Sequence, residues 1–415
     1  MSKLHKYAFA DLYNMTSGIS STKEQAGHGA PFVSFSTVFN NYFLPDELPE
    51  LMDTSEREQE AYSIKKGDIL ITRTSETVDE LAMSCVALKD YPRATYSGFV
   101  KRLRPKTTGI AYDKYMAFFL RSKYFRKVIN SNTIMTLRAS FNEDIFSFLT
   151  LYLPDYEEQV KIGDMLYNME RKIIINKKIN DNLEQQAKLL YDFWFTQFDF
   201  PDEKGKPYRA SGGQMQWNDT LKRYVPIGWR VVPLLKVANW ESNSQPPKSE
   251  FIYKPREGYV RFIQNRDYGS SAHKTYIPLT KSLSIVDRYD ILMDKYGDAG
   301  AVRYGIEGAF NVALGKINVH DKNHREYVRS FLASDGIYNY LHNSCMASTR
   351  ASLNESNLAM LNIVIPDDSI VAKYEELLRE IRDSILKTND ETAKLIELRD
   401  WLLPILMNGQ ASVED

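Results

Sequence analysis

Arg138-Ala139-Ser140-Phe141-Asn142-Glu143 occurs a second time as Arg350-Ala351-Ser352-Leu353-Asn354-Glu355, and this repetition is the main evidence for the fold. Each copy continues through an apolar run to Pro-Asp, so that 138–155 and 350–367 share eight of eighteen residues at a constant offset of 212. An upstream echo, Asp68-Ile69-Leu70 against Asp290-Ile291-Leu292, has an offset of 222. A difference in offset is typical of a loop insertion. Two echoes in the same order predict an internal duplication.

A long helix is predicted after the Pro-Asp of each copy. Apolar positions recur there at alternating spacings of four and three for more than four heptads, which is the pattern of a helix-pair seam. The seam turns polar at equivalent central places in the two helices. The predicted seam residues are Ile162, Leu166, Met169, Ile173, Asn176, Asn180, Leu183 and Leu190 in the first helix and Leu378, Ile381, Ile385, Thr388, Thr392, Leu395 and Leu402 in the second.

The two helices are expected to pack on each other. A pseudo-twofold relation between the copies would make them antiparallel, and the central polar positions would then meet, at a cost in stability but with a fixed register. A parallel pair would also align the polar layers, so symmetry alone favours the antiparallel choice. The alternative is that each helix packs only on its own globular half.

The globular regions carry short β-branched and aromatic runs, such as 69–72 and 149–153, and one helical stretch at 112–130. The fold class is therefore predicted as α+β, with two similar globular domains that are each followed by a long helix. Proline and glycine among polar residues predict a linker between the copies. The predicted layout is domain 1 at 1–155, a helix at 156–198, a linker at 199–223, domain 2 at 224–367 and a helix at 368–410.

Charge is distributed unevenly although the formal net charge is −1. From Tyr91 to Arg138 there are eleven lysines and arginines and one acid, and interleaved tyrosines accompany them. Such a segment is typical of a nucleic-acid surface, although a solvated face is the usual meaning of a basic run. Two related modules held by paired helices would suit a two-part site on a duplex. The duplication therefore favours nucleic-acid binding over a solvated face as the interpretation of the basic segment.

The composition of the 415 residues is that of an ordinary globular protein. Its two cysteines cannot form a disulfide framework, and no apolar run approaches the roughly 18–20 residues of a membrane span. The first residues do not read as a signal peptide. A cytoplasmic location with no membrane partner is expected.

Catalytic motifs are not recognisable. The glycines and lysine of 308–316 have the wrong spacing for a phosphate loop. Pro154-Asp155 with Glu170 and Lys172 approximates a nuclease motif, but the second copy has Arg382-Asp383-Ser384 at the corresponding place. His320 and His324 have the spacing of metal ligands without a third ligand, so surface histidines are expected. No catalytic residue and no metal site is predicted.

The sequence resembles the specificity (S) subunits of type I restriction–modification systems along nearly its whole length. The matching pieces are 67–70, the junction 153–159 into the first helix, 226–229 at the start of the second module and 365–366 before the second helix. The chain departs from the pattern where 369–371 does not repeat 157–159, and where no glycine precedes Asp290. These departures concern local turns.

The resemblance implies a non-catalytic DNA reader. Each globular domain would be a target-recognition domain for one half of a bipartite, asymmetric sequence in double-stranded DNA, and the antiparallel helices would set the gap. The helices would also dock two methylation (M) subunits, and restriction (R) subunits would join that core. No cofactor is expected in this chain, since S-adenosylmethionine, ATP and magnesium would belong to the partner subunits.

Candidate DNA contacts are polar and basic residues next to the repeated motifs or on the basic segment. Arginine can hold guanine and asparagine adenine, while serine suits phosphate. The candidates are Arg73, Thr74, Ser75, Lys101, Arg102, Arg104, Arg138, Ser140 and Asn142 in the first copy and Lys295, Tyr296, Arg303, Arg350, Ser352 and Asn354 in the second.

The repeated Arg-Ala-Ser-x-Asn segment has a second interpretation. Its serine or asparagine could cap a helix that begins near Glu143 or Glu355. A segment that is identical in both copies is also unlikely to recognise two different base sequences. A phosphate contact common to both halves would be compatible with DNA binding and with a capping role.

Two other functions remain open on the sequence. A protein-interaction scaffold with two ligand-binding modules on a helical clamp is the main alternative, and a nuclease is the third. Magnesium-dependent cleavage by the isolated chain would favour the nuclease. Salt-insensitive binding to a protein, without DNA affinity, would favour the scaffold.

Overall fold

The computed structural model describes residues 3–75, 80–132, 139–269, 273–346 and 352–413. The chain divides into two compact units. Unit 1 comprises Met1–Ile175 with Lys394–Asp415, and unit 2 comprises Asn176–Ala393. Each unit therefore contains the beginning of one long helix and the end of the other.

Unit 1 combines short strands with helices that cover them. The strands are β1 Leu4–Ala8, β2 Tyr13–Ser17, β3 Ala26–Val33, β4 Glu50–Met52, β5 Ile69–Thr72, β6 Thr74–Ser75, β7 Ser84–Val86, β8 Thr95–Tyr96, β9 Val100–Pro105, β10 Ala139–Ser140 and β11 Thr150–Pro154. The helices are α1 Phe9–Leu12, α2 Phe35–Asn40, α3 Glu56–Ala61, α4 Asp113–Phe119, α5 Lys123–Asn132, α6 Glu143–Phe148 and α7 Tyr156–Tyr191, which continues as a π-helical turn at Asp192–Thr196.

The centre of unit 1 is an antiparallel sheet in the order β2-β9-β5-β7. Ile69 and Ile71 of β5 are fully buried in one core with Phe118 of α4 and Phe125 of α5. Aromatic residues of the stretch 112–130, which was predicted to be helical, therefore pack on the sheet. Leu406, near the end of the second long helix, belongs to the same core.

Unit 2 repeats this architecture with different loops. Its strands are β12 Met215–Asn218, β13 Arg223–Pro226, β14 Arg230–Pro233, β15 Ala238–Ser242, β16 Tyr259–Ile263, β17 Tyr276–Pro278, β18 Ile285–Val286, β19 Ile291–Asp294, β20 Val302–Arg303, β21 Gly308–Phe310, β22 Leu314–Val319 and β23 Asn362–Ile365. Its helices are α8 Arg325–Ala333, α9 Asp335–Met346, α10 Glu355–Ala359 and α11 Asp368–Met407. In the part of the chain described, no helix is long and apolar enough to cross a membrane.

The sheet topology confirms the duplication. The order β15-β22-β19-β20 in unit 2 matches β2-β9-β5-β7 in unit 1, strand for strand. The pair β14-β23 likewise matches β1-β11, and a short helix, α10 or α6, precedes the last strand of each pair. The predicted α+β class with two similar domains is therefore confirmed.

The orientation of the helix pair follows from contacts inside unit 2. Asn176 Nδ2 donates to Thr392 Oγ1 at 3.2 Å, and Asn180 Nδ2 donates to Asn389 Oδ1 at 2.8 Å. The partner numbers on α11 fall as the numbers on α7 rise, so the helices are antiparallel. Because α7 and α11 contact each other, the alternative in which each helix packs only on its own half is wrong.

The stretch 112–130 is two helices and not one. Ser122 separates α4 from α5, since its hydroxyl donates to the carbonyl of Phe119 at 2.6 Å and accepts from the amide of Phe125 at 3.2 Å. A serine that binds the backbone in this way caps a new helix and ends the previous one.

The segment 199–223, predicted as a loose linker, is packed on unit 2. The ring of Phe200 stacks between Tyr208 and Trp229, with ring centroids 4.7 and 4.8 Å away, and Phe198 is fully buried. Its glycines and prolines indicated flexibility, but the aromatic residues among and beside them provide enough apolar area to fix the chain.

Candidate nucleic-acid interface

The two repeated motifs meet at one place in each unit, which we call the strand-end corner: the residues just after β5 or β19 together with residues 139–143 in unit 1 or 352–355 in unit 2. In unit 1 the carbonyl of Arg73 accepts from the amide of Phe141 at 2.7 Å. In unit 2 the carbonyl of Lys295 accepts from the amide of Leu353 at 3.1 Å. The structure thus brings the upstream echo beside the Arg-Ala-Ser-x-Asn segment in both copies, and Arg73 and Lys295 are equivalent.

The corner of unit 1 presents short polar side chains. Arg73 is exposed, while Thr74 and Ser75 are half-buried in β6. β6 pairs with β10, so that Thr74 lies opposite Ser140, another predicted contact. Four of the candidate residues are therefore neighbours.

Lys101 adds a cation to this corner from the next strand. It is only 7% exposed, and its Nζ donates to Ser17 Oγ at 2.7 Å. Burial lowers the pKa of the Lys101 ammonium, and the positive charge of Arg73 lowers it further, whereas Glu143 acts in the opposite direction. A partly buried cation beside a second cation favours an anion at this point.

The corner of unit 2 is built from Lys295 and Tyr296. Lys295 is 9% exposed, its Nζ donates to Ser242 Oγ at 3.0 Å, and it lies 5.4 Å from the centroid of the Trp240 ring. Burial lowers the pKa of Lys295. Tyr296 is 50% exposed, and Ser352 is half-buried next to Leu353.

Three predicted DNA contacts form hydrogen bonds within the protein. Arg104 donates to both carboxylate oxygens of Asp68, at 2.8 and 2.6 Å, and Arg102 donates to the carbonyl of Ser63. Arg303 donates to Asp294 at 2.8 Å and to Asp298 at 3.1 Å. Because their guanidinium donors stabilise the sheet and its turns, we leave Arg102, Arg104 and Arg303 out of the interface.

The basic segment 91–138 is less available for DNA than its charge indicated. Arg121 donates through Nη2 to three backbone carbonyls, and Arg126 donates to the carbonyls of residues in the β5–β7 connection and of Leu120. Lys114 pairs with Asp164 at 2.7 Å. Cations that satisfy buried carbonyls and carboxylates keep the fold and cannot be counted as a nucleic-acid footprint.

The two asparagines of the repeated segment cap helices. Asn142 Oδ1 accepts from the amide of Ile145 at 2.9 Å at the start of α6, and Asn354 Oδ1 accepts from the amide of Ser356 at 2.9 Å at the start of α10. This is the structural alternative that the sequence left open, and both asparagines are exposed. Arg138 and Arg350, predicted to act beside them, lie outside the described residues.

The predicted seam residues all lie in α7 or α11 and none is exposed. The polar positions are partly paired across the helices, as the bonds of Asn176 to Glu391 at 2.9 Å and to Thr392 show. Thr388 and Thr392 also donate to the carbonyl four residues earlier, at 2.8 Å each. Asn176 and Thr392 are thus paired across the layer within unit 2, whereas the buried Asn180 Oδ1 has no hydrogen-bond partner among the described residues.

His320 and His324, considered as metal ligands, have other neighbours. His320 Nδ1 lies 3.2 Å from the carbonyl of Lys236, and His324 Nδ1 lies 3.2 Å from Asp321 Oδ2. Across the described ranges, no group of three or more histidine, cysteine, aspartate or glutamate side chains could hold a metal ion.

The sequence did not single out the two serines that receive the lysine ammonium groups. Ser17 and Ser242 each end the edge strand of a four-stranded sheet, and the one other residue that these two strands share is an asparagine three positions earlier, Asn14 and Asn239. The only signal was the strand order, which is a property of the folded chain.

Comparison with known proteins places these features in a family. The family described as "Type I restriction modification DNA specificity domain" matches residues 6–185 and again residues 226–395. The two matches cover one globular region and most of one long helix each, in agreement with the duplication.

Relatives match over nearly the whole chain. The MjaIX specificity subunit of a type I restriction enzyme of Methanocaldococcus jannaschii is 24% identical, and the match covers 95% of this chain and 89% of that one. The HindI specificity subunit of Haemophilus influenzae is 24% identical, with 91% and 94% covered.

A solved structure shares the fold. The S subunit of a type I restriction–modification system of M. genitalium superposes with a TM-score of 0.60 at 13% identity and covers 98% of this chain and 96% of that chain. The relatives are named as specificity subunits, which are non-catalytic, and the resemblance found in the sequence is confirmed. With both family matches together covering most of its length, the chain belongs to the DNA specificity family of type I restriction–modification systems.

Proposed function

We propose that each unit reads one half of a bipartite, asymmetric sequence in double-stranded DNA and that α7 and α11 set the gap between the half-sites. The observation that carries this proposal is the pair of strand-end corners. They occupy equivalent places in two copies of one sheet, yet Arg73, Thr74 and Ser75 stand in one where Lys295 and Tyr296 stand in the other. One scaffold with different side chains at one place suits two different half-sites.

The helix pair is also proposed to dock two methylation subunits. Apolar side chains remain exposed on α7 in both units, among them Ile174 and Ile175 in unit 1 and Leu189 in unit 2, where 67% of the residue is exposed. Exposed apolar residues on a helix are typical of a protein interface when they recur. Restriction subunits would join this core, and the partners would hold S-adenosylmethionine, ATP and magnesium.

The repeated arginines are proposed to position the phosphate backbone in both halves. We expect Arg138→Ala and Arg350→Ala to weaken DNA binding on all sequences alike and to leave the recognised motif unchanged, because a phosphate contact carries no base information. A variant of either arginine that changes the methylated motif would contradict this assignment.

The function is tested by mapping methylation. DNA is sequenced by a long-read method from cells that express this chain with the methylation subunit encoded beside it, and from cells that lack only this chain. A two-part adenine-methylated motif that disappears without the chain is the expected result. A stable complex with no chain-dependent motif would contradict DNA reading and favour the scaffold.

A further inference from the structure

We infer that Lys101 and Lys295 each hold one phosphate of the DNA backbone, at a site formed with Ser17 in unit 1 and with Ser242 in unit 2. This inference rests on the proposed DNA-reading function and adds the residues and the ligand group of one contact in each half. The two ammonium groups have the same location in the two sheets, reach it from different strands and have no carboxylate partner among the described residues.

The two ammonium groups lie at the same place in the two sheets. Ser17 is the last residue of β2, and Ser242 is the last residue of β15, the equivalent edge strand. Lys101 Nζ and Lys295 Nζ donate to the hydroxyl oxygens of these serines, at 2.7 and 3.0 Å. Each lysine stem is buried while the ammonium is only partly enclosed, as for a long side chain that brings its charged end to the surface.

The lysines reach this place from different strands. Lys101 lies on β9, directly opposite Ser17, whereas the residue opposite Ser242 on β22 is Gly315. A Cβ at Gly315 would lie 2.1 Å from the ring of Trp240, so no lysine fits there. In unit 2 the ammonium comes instead from Lys295 after β19, the position that Arg73 takes in unit 1.

This exchange of positions argues for a function of the ammonium itself. A lysine that the two copies had merely inherited would occupy the same position in both. Here the lysine stands at different backbone positions in the two copies, but its ammonium reaches the same location. We therefore infer that a positive charge at that location is what both copies require. A bond to serine alone would not require it, because serine hydroxyls are satisfied by neutral partners as well.

Neither ammonium has a carboxylate partner among the described residues. Asp294, the residue before Lys295, pairs with Arg303, and Glu143 acts electrostatically on Lys101 without an ion-pair contact in the part of the chain described. Each lysine uses one of three donors on its serine, and the serine hydroxyl keeps its own proton to donate. Burial lowers the pKa of both lysines, as expected for a cation whose counter-charge comes from outside.

A phosphate is the ligand that fits both corners. The two units read different half-sites, so a contact common to both must recognise what all DNA shares. An ammonium is a compact charge that binds phosphate without the planar geometry that selects a base edge. The equivalent location in both units therefore points to a backbone phosphate and away from a base.

The test uses the full-length chain in complex with its methylation subunits. Lys101→Met, Lys295→Met and the double variant are compared with Lys66→Met and Lys236→Met, whose exposed lysines lie near the opposite ends of β5 and β15. Affinity for duplexes with and without the recognised motif is measured over a range of salt concentrations, together with the melting temperature and the methylation map.

We expect each single variant to weaken binding by about tenfold on both duplexes and to reduce the slope of log affinity against log salt by about one. The double variant should lose both contacts, the motif should stay unchanged, and the melting temperature should not fall, because an unpaired buried charge is removed. The control variants should retain affinity and slope.

Three results would overturn the inference: an unchanged salt slope, a changed motif, which would indicate a base contact, or a lower melting temperature with unchanged affinity, which would indicate a structural lysine. Failure of the proposed function would look different. In that case the wild-type complex itself would produce no chain-dependent motif and would not distinguish the two duplexes.

Discussion

The two ends of the helix pair differ although they derive from one repeat. In unit 1, Glu170 of α7 pairs with Arg399 of α11, and in unit 2, Glu184 of α7 pairs with Arg382 of α11, each at 2.6 Å. The offset of 212 makes Glu170 and Arg382 equivalent, so the same position carries opposite charges in the two copies. At both contacts, therefore, α7 contributes a negatively charged glutamate and α11 contributes a positively charged arginine.

This difference makes the two helices complementary and not interchangeable. A pair of two α7 helices in the same arrangement would bring glutamates together, and a pair of two α11 helices would bring arginines together. Like charges at a helix interface are destabilising. Duplication therefore kept the scaffold, and divergence of the charges made each helix select the other one.

The two ion pairs also differ in burial. Arg382 is buried and donates to Glu326 as well, at 3.1 Å, within a network that includes Arg329. Arg399 is half-buried and shares its charge between Glu170 and the exposed Asp400. The comparison can be tested at this pair and at three other equivalent places, in order of expected effect.

The largest effect is expected for Arg382→Met. This variant removes one of the two cations that contact the buried Glu326, which keeps Arg329 at 2.9 Å, and removal of one member of a buried ion pair costs up to about 3–5 kcal/mol. Arg399→Met should cost less, about 1–2 kcal/mol, because the second carboxylate that Arg399 contacts, Asp400, is exposed, whereas Glu326 is buried. Urea unfolding followed by hydrogen exchange in each unit measures both, with Arg382→Lys as the control that keeps a charge. Equal losses for both variants would contradict the comparison.

The second place is Glu375, whose equivalent in unit 1 is Gly163. The carboxylate accepts from the amide of Tyr327 at 2.8 Å, and burial raises the pKa of Glu375 to about 7 from an ordinary 4.5. The folded state therefore binds this proton more tightly than the unfolded state, and unit 2 loses stability as the pH rises from 4.5 through 7.

Glu375→Gln should remove this dependence. Above pH 7 we expect the free energy of unfolding of the variant to exceed that of the wild type by at most about 3 kcal/mol. Below pH 4.5 we expect the two proteins to be equally stable. Urea midpoints between pH 4 and pH 8 measure the effect. Glu376→Gln, at an exposed neighbour on α11, is the control. If both variants followed the wild-type pH profile, the assignment to Glu375 would be wrong.

The third place is Gly315, which stands where unit 1 has Lys101. Gly315→Ala should destabilise unit 2 by about 1–3 kcal/mol, since the added methyl group displaces the Trp240 ring. Gly269→Ala, whose Cβ would have only ordinary contacts, is the control. Thermal unfolding monitored by tryptophan fluorescence measures both. A Gly315 variant as stable as the control would show that Trp240 moves freely.

The smallest effect is expected at the two helix caps. Asn142→Ala and Asn354→Ala should each cost about 1 kcal/mol, whereas Asn142→Ser and Asn354→Ser should retain the cap. Serine cannot hold adenine bidentately. Serine variants that keep both stability and the methylated motif are the expected result, measured by thermal unfolding and by the methylation map. Loss of the motif in the serine variants would instead assign the asparagines to base reading.

Much of the two strand-end corners could be predicted from the sequence, because their residues lie beside the repeated motifs. Arg73 and Lys295 follow the same Asp-Ile-Leu echo, and their carbonyls accept from equivalent amides. Within the basic segment, Arg102, Arg104 and Arg121 donate to carbonyls or carboxylates of the fold itself. A count of charges does not distinguish a cation in solvent from a cation that satisfies buried carbonyls.

The duplication, the α+β class and the heptad seam follow from the order of residues alone, because repeats and spacings of three and four can be read there. Which side chains share a location depends on the folded chain. Ser17 with Lys101 and Ser242 with Lys295 are 84 and 53 residues apart, and no fixed offset relates the two pairs. Strand pairing brings them together, and pairing depends on the packing of the whole sheet.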